Sequence, residues 1–209
     1  SFLAAAASIA FAPLMWNAVA RLEHRTGVVT RLCGGSARLG CYLLALAIFL
    51  LQLEREWIFT VAIYDQPRFL EAAAPLNQAV ALLLFAFGST LVLSSFWRLG
   101  ITGTYLGDYF GILMEEKVTG FPFNAFAHPM YLGSVVNLAA TALFKGSAAG
   151  LLLAAWSHLV YQAVSLHLEG PFTEQIYRAR DEARAAAAAA APQGPADAFP
   201  ADAALRRRR

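Results

Sequence analysis

The stretch Ala72–Trp97, AAAPLNQAVALLLFAFGSTLVLSSFW, runs for 26 residues without a charged side chain. As a helix it would extend about 39 Å at 1.5 Å per residue, enough to span the ~30 Å hydrocarbon core of a bilayer. Four more uncharged runs surround it: Ser1–Ala20, Leu39–Leu53, Pro129–Phe144 and Gly146–Leu168. The whole chain agrees with this reading. Only 14% of its 209 residues are charged, 58% are hydrophobic, and the mean hydropathy is +0.52. Ordinary soluble domains carry roughly 25% charge. A chain this poor in charge cannot cover a water-facing surface.

The expected fold class is therefore all-α, a polytopic membrane helical bundle with about four crossings. Pro13 lies within the first run. Proline removes an amide donor and crowds the preceding turn, so residues 1–20 are expected as a kinked or re-entrant apolar helix. That run lacks a basic flank and is interrupted by Pro13, Trp16 and Asn17, which argues against a signal peptide. Past the fifth run, Pro171 suits a helix start and Glu174 suits its first turn. A C-terminal interfacial helix is expected from residue 172. Residues 1–180 form the membrane domain in this reading. Residues 181–209 form a low-complexity tail, Pro/Ala/Asp-rich and disordered from Pro192, with Arg206–Arg209 at its end.

Basic residues set orientation. If runs two to five all cross, the 21–38 and 98–128 connectors share a side with the tail. That side then holds thirteen of the sixteen Lys and Arg residues. If the fourth run does not cross, the split becomes nine against seven. The bias favours four crossings and puts Asp108, His128 and Glu169 on the cytoplasmic face, where a charged, water-soluble cofactor is available.

Between the third and fourth runs lies a glycine-rich, polar segment. It reads Gly103-Thr104-Tyr105-Leu106-Gly107-Asp108-Tyr109-Phe110-Gly111, then Phe121-Pro122-Phe123-Asn124 and His128-Pro129-Met130-Tyr131-Leu132-Gly133. Irregular polar backbone at a bilayer belongs where it is buried in protein or lines a cavity, so this segment is the first place to seek a site. Asp108 is either an Asx-turn residue or a carboxylate that steers or deprotonates a cationic substrate. His128 is either a hydrogen-bonded structural residue or a proton acceptor near neutral pH. Glu169 either marks the end of the fifth run or, in the turn Leu168-Glu169-Gly170-Pro171, accepts hydrogen bonds from ribose hydroxyls or an amine. Tyr105, Tyr109, Phe110 and Tyr131 read mostly as interface belt residues, of which a subset could cage an onium group by cation–π attraction. His158 is expected inside the bundle and His167 at the interface. Ala86-Phe87-Gly88 reads first as a close helix contact. Cys33 and Cys41 read as free thiols, and the usual zinc spacings are absent, so no metal is expected. No basic patch with interleaved aromatics suggests nucleic acid.

An ordered set of motifs resembles the phosphatidylethanolamine N-methyltransferase family. It comprises Phe11-Ala12-Pro13-Leu14-Met15-Trp16-Asn17 with Glu23-His24, Leu91-Val92-Leu93-Ser94-Ser95-Phe96, the 103–113 segment, Phe121-Pro122-Phe123-Asn124, Pro129-Met130-Tyr131, and Pro171-Phe172-Thr173 with Ile176-Tyr177-Arg178. The resemblance covers about residues 1–180. His128-Pro129-x-Tyr131-x-Gly133 is also similar to the wider membrane methyltransferases that include the isoprenylcysteine carboxyl type. The resemblance implies S-adenosylmethionine as cofactor. It also implies three successive N-methylations of phosphatidylethanolamine, through its mono- and dimethyl forms, to phosphatidylcholine. Its cofactor motifs fall on Ala86-Phe87-Gly88, where only the second glycine of Gly-x-Gly is present, and on Glu169-Gly170, where only the first of two glutamates is present. Phe87, Gly88 and Glu169 are thus expected to bind cofactor, with Ala86 and Gly170 aligned but different. His128, Tyr131 and Gly133 are pocket candidates, and Asp108 and His128 are candidate bases. The implied location is the endoplasmic reticulum and mitochondria-associated membranes. The alternatives are a membrane methyltransferase acting on prenylcysteine or a sterol, and a catalytically silent membrane scaffold on the same fold.

Overall fold

The computed structural model describes residues 1–64, 66 and 74–190. The tail from residue 191, the Arg206–Arg209 cluster and most of the 65–73 connector lie outside the described residues. The elements are helices in the order α1 (Phe2–Thr26), α2 (Val28–Leu32), α3 (Ala37–Tyr64), α4 (Ala74–Thr104), a 3-10 turn (Gly107–Phe110), α5 (Pro129–Lys145), α6 (Ala148–Val164), a π-helical turn (Ser165–Glu169) and α7 (Gly170–Ala190). Residues Ser1–Ile176 form one compact unit, and a second begins at Tyr177. In the second, Arg180 lies over the Tyr177 ring at 4.8 Å and pairs with Asp181 at 2.7 Å.

Among the described residues, four helical stretches are long and apolar enough to cross a membrane, beginning at Phe2, Ala37, Pro75 and Ala148. Their outer faces carry exposed Leu43, Leu46 and Phe49 on α3, Leu82, Leu83 and Phe85 on α4, and Leu152 and Leu159 on α6. So large an apolar surface is untenable in water and is the surface a bilayer requires.

The first run forms α1, which passes through Pro13 as one 25-residue helix. Pro13 and Asn17 are buried, and the Asn17 side-chain amide donates to the Pro13 carbonyl at 2.9 Å. Neighbouring helices support a proline that would break an isolated helix. The second run does not end at Leu53, because α3 continues through Glu54, Arg55 and Glu56 to Tyr64. The Arg55 side chain turns inward and pairs with Glu56 at 2.5 Å, so these charges do not end the helix. Leu168–Pro171 is not a turn either. The π-helical Ser165–Glu169 leads directly into α7, with Gly170 at φ −54° and ψ −57°. Pro171 cannot donate to the turn below it, and its ring crowds the carbonyl four residues back. A widened turn just ahead of it relieves that clash. His158 faces outward rather than into the bundle.

Small residues let the helices approach closely, as membrane packing favours. A Cβ on Gly133 would lie 2.6 Å from the Gly88 carbonyl oxygen, and one on Gly150 would lie 2.6 Å from the Ala142 Cβ. The α5–α6 turn is set by Gly146 at φ 67° and by Ser147, whose hydroxyl accepts from the Gly150 amide at 3.1 Å. Lys145 there lies 5.8 Å from the Tyr64 ring, so the α5–α6 turn and the C-terminal end of α3 share one end of the bundle. One core cluster, including Ile9, Phe59, Ile63, Leu138 and Leu153, lies toward that end. A second, including Trp16, Cys41, Leu44, Tyr109 and Tyr161, lies along the other part of α3. Both cysteines are free.

Glu23, 4% exposed, supplies α2 with the cap that Gly27 cannot. Its carboxylate accepts from the Val29 amide at 2.6 Å, the Thr30 amide at 3.2 Å and the Thr30 hydroxyl. Glu23→Ala strands those donors and should lower stability by roughly 2 kcal/mol. Thermal unfolding in detergent measures this, and an unchanged midpoint would contradict the capping role.

Candidate active site

Glu169 ends the π-helical turn, with its carboxylate held from three directions. Its Oε1 accepts from Trp16 Nε1 at 3.1 Å and from Asn17 Nδ2 at 2.8 Å, both on α1. Its Oε2 accepts from the Tyr131 hydroxyl on α5 at 2.7 Å. An ionised carboxylate offers about four acceptor positions. Three are filled by the protein, which leaves room for one more donor on a group that is already fixed in place. The Tyr131 ring lies flat on Tyr161 of α6, with centroids 4.5 Å apart and planes at 15°.

Next to Glu169, Arg21 donates through Nη2 to the Leu168 carbonyl at 2.6 Å. Its guanidinium lies 4.7 Å over the Phe172 ring. Phe172 stacks on Tyr109 at 4.9 Å and 20°, and His24 meets Phe172 edge-on at 5.1 Å. One residue from Tyr109, Asp108 accepts from the Thr173 hydroxyl through Oδ2 at 3.0 Å. The start of α7 therefore joins the Asp108 and Glu169 carboxylates through one aromatic pair.

The 3-10 turn that carries Asp108 needs its glycine. A Cβ on Gly107 would lie 2.6 Å from the Thr102 carbonyl oxygen. Leu106 just before it sits at φ 58°, a left-handed conformation unusual for a residue with a side chain.

His128 caps α5 and meets Ser165 in the π-helical turn, with Nε2 to Oγ at 2.8 Å. Its ring lies 6.5 Å from that of Tyr131. The residues expected from the sequence thus fall into two groups. Asp108, His128, Tyr131 and Glu169 gather around the π-helical turn and the start of α7. Ala86, Phe87 and Gly88 lie on α4, where Gly88 packs against Gly133 of α5 while Ala86 and Phe87 are exposed. A Cβ on Gly88 would lie 2.3 Å from Asn137 Oδ1 and 2.7 Å from the Gly133 carbonyl oxygen, while Phe87 meets Phe126 at 6.2 Å. Gly170 is placed tightly too, since a Cβ there would lie 2.8 Å from the Ser165 carbonyl oxygen.

The aromatic residues of this segment fall into separate pairs. Tyr109 pairs with Phe172 and Tyr131 with Tyr161, while Tyr105 meets Phe96 edge-on at 6.5 Å. Sequence reasoning missed Trp16, Asn17, Arg21, Tyr161, Ser165 and Thr173 as site residues. Trp16 and Asn17 did carry a signal, because an amide inside an apolar run needs a partner. They counted as interruptions of the run and as part of the Phe11–Asn17 motif, not as partners of Glu169.

The cluster holds two carboxylates against one guanidinium, with stacked aromatics between them. That composition suits a cationic ligand bearing an amine or hydroxyls.

Comparison with known proteins agrees. The profile of the family described as phospholipid methyltransferase matches residues 76–180. The chain is 50% identical over 188 residues to a phosphatidyl-N-methylethanolamine N-methyltransferase of Neurospora crassa, covering 90% of this chain and 87% of that one. It is 47% identical to the protein of that name in Saccharomyces cerevisiae, over 83% of this chain and 84% of that one. It is 48% identical to a human phosphatidylethanolamine N-methyltransferase, over 85% of this chain and 88% of that one. No solved structure matches. Four potential membrane helices and relatives that align over most of their length lead to one conclusion: the chain belongs to the phospholipid methyltransferase family.

Proposed function

We propose that this chain transfers methyl groups from S-adenosylmethionine to the amine of phosphatidylethanolamine and of its mono- and dimethyl forms, ending at phosphatidylcholine. The observation that carries the proposal is the Glu169 carboxylate, held by Trp16, Asn17 and Tyr131 with an acceptor position to spare. That position suits the ammonium or a ribose hydroxyl of the methyl donor. When bound, the donor supplies an electrophilic methyl on sulfur.

The chain's own residues handle position and protons. The lipid amine is mostly protonated near pH 7 and has a lone pair only after losing a proton. Asp108, held by Thr173, and His128, held by Ser165, are the proposed acceptors. The stacked Tyr109–Phe172 pair offers ring faces to a headgroup that gains cationic character as it is methylated. Holding amine and methyl in line is the main catalytic contribution such a site can make. Gly88 and Phe87 enter this reading through α4, whose close contact at Gly133 fixes α5 and hence Tyr131. Where runs two to five all cross, the charge bias of the connectors supports a cytoplasmic active face. The family resemblance supports the endoplasmic reticulum and mitochondria-associated membranes.

The names of the relatives favour a second reading of the acceptor. The fungal ones are named for the monomethyl lipid and the mammalian ones for the unmethylated lipid. The purified chain should move labelled methyl from S-adenosylmethionine into phosphatidylethanolamine presented in vesicles. Label appearing only when the monomethyl lipid is supplied would assign the chain to the later steps. Label in no phospholipid, but in a prenylcysteine or sterol, would overturn the proposal.

A further inference from the structure

Arg55 is a full cation inside a membrane-length helix, and only 3% of its surface is exposed. It lies nine residues before Tyr64, about 14 Å along α3 from the end where Lys145 meets that ring. Burying a charge there is costly and marks a residue for scrutiny. The Glu56 partner is half exposed, at 47%, so this is not a sealed ion pair. Among the described residues, Arg55 Nε has no hydrogen-bond partner, and neither do Gln52 Oε1, one turn away on α3, or Ser157 Oγ, one turn before Tyr161. An arrangement with three stranded polar atoms does not serve stability, since well-packed apolar residues do as well or better in such places.

Its other bond leads toward the site. Arg55 Nη1 donates to the Tyr161 hydroxyl. Tyr161 stacks on Tyr131 at 4.5 Å, and Tyr131 donates to Glu169 Oε2 at 2.7 Å. Tyr161 is eight residues before Glu169, about 12 Å along the helix. The Tyr131 hydroxyl reaches Oε2 only if its ring keeps its place on the face of Tyr161. Tyr161 in turn is anchored at its far end by the guanidinium.

We propose that Arg55 is a positioning residue for the Glu169 carboxylate, acting through the Tyr161–Tyr131 stack, and that it thereby sets affinity for the methyl donor. The proposal rests on reading Glu169 as part of the donor site. It assigns a role in binding to a residue remote from the chemistry and in contact with neither substrate.

The test is equilibrium binding of S-adenosylhomocysteine to the full chain in detergent, with thermal unfolding recorded beside it. Arg55→Met should weaken binding about tenfold, the scale on which outer partners tune the groups they orient. In a Tyr131→Phe background the same change should have almost no effect, because the link to Glu169 is already cut. Arg55→Lys, which still offers a donor to Tyr161, should recover part of the loss. If Arg55→Met does not fold, Tyr161→Phe reads the same link and should also weaken binding about tenfold. Unchanged affinity in the folded Arg55→Met or Tyr161→Phe protein, while Glu169→Gln loses binding, would overturn the relay alone. An equal loss from Arg55→Met in both backgrounds would also overturn it, by showing that Arg55 acts elsewhere. If Glu169→Gln binds like the native chain, the reading of the site fails and the relay falls with it.

Discussion

Glu169→Ala reduces methyl incorporation into phosphatidylethanolamine by at least about a hundredfold, the loss expected when reacting groups move by about 1 Å. The substitution removes the spare acceptor. It also strands three donors: Trp16 Nε1, Asn17 Nδ2 and the Tyr131 hydroxyl. Each buried donor left unpaired costs about 1–3 kcal/mol, so the unfolding midpoint falls as well. Glu169→Gln separates the two effects. Its carbonyl oxygen still accepts from Trp16 and Asn17, and its amide can donate to the Tyr131 oxygen, which keeps the three neighbours engaged. What it loses is the charge and the free acceptor position. A Glu169→Gln protein that unfolds near the native temperature yet transfers methyl at less than about one hundredth of the native rate fits the site as described. Near-native transfer by either variant would remove Glu169 from the donor site.

Gly88→Ala is expected to fail earlier, at folding. The new Cβ lands 2.3 Å from Asn137 Oδ1 and 2.7 Å from the Gly133 carbonyl oxygen. Asn137 could swing aside, but the Gly133 carbonyl belongs to the α5 backbone and moves only if the helix does. Overpacking of this kind costs about 3 kcal/mol, a large share of a marginal total. The expected result is a low yield of monodisperse protein and a clearly lower unfolding midpoint. The measurement also distinguishes two roles for the Gly-x-Gly position. If Gly88 makes room for a ligand, Gly88→Ala folds normally and loses only S-adenosylhomocysteine binding. If it is a helix contact, as its neighbours indicate, stability falls first.

Much of the architecture was legible because it follows from solvent. A run such as Ala72–Trp97 has one physical home, and α4 is found there. Pro129–Phe144 and Gly146–Leu168 reappear almost residue for residue as α5 and as α6 with its π-helical turn. Errors arose where pairing changes the cost of a polar group. A hydropathy count stops at Glu54, but Arg55 finds Tyr161 106 positions away, and the helix continues. Pro13 lies buried within α1, and the helix runs on past it.

The site shows the same division. Glu169, Asp108, His128 and Tyr131 stand out in the sequence as candidates because ionisable and polar groups beside apolar runs are conspicuous. Their partners were not. Trp16 and Asn17 precede Glu169 by 153 and 152 positions, and Thr173 follows Asp108 by 65. No local pattern encodes a hydrogen bond of that separation. The π-helical turn was missed because Pro171 reads as a new helix start, and Leu168–Gly170 carries no sign that the fifth run continues into it.

The order in which the Glu169 cluster is assembled has a consequence for biogenesis. Its donors come from the first helix and from α5, and its acceptor arrives only at the end of the sixth. A nascent chain halted before Glu169 holds every apolar run up to Leu168 and presents Trp16, Asn17 and Tyr131 with nothing to grip. Insertion into the bilayer and acquisition of a ligand pocket are therefore separate events in time. If Glu169 holds the methyl donor as proposed, the first and last parts of the bundle must meet before that donor binds, and donor binding reports that synthesis has passed Glu169.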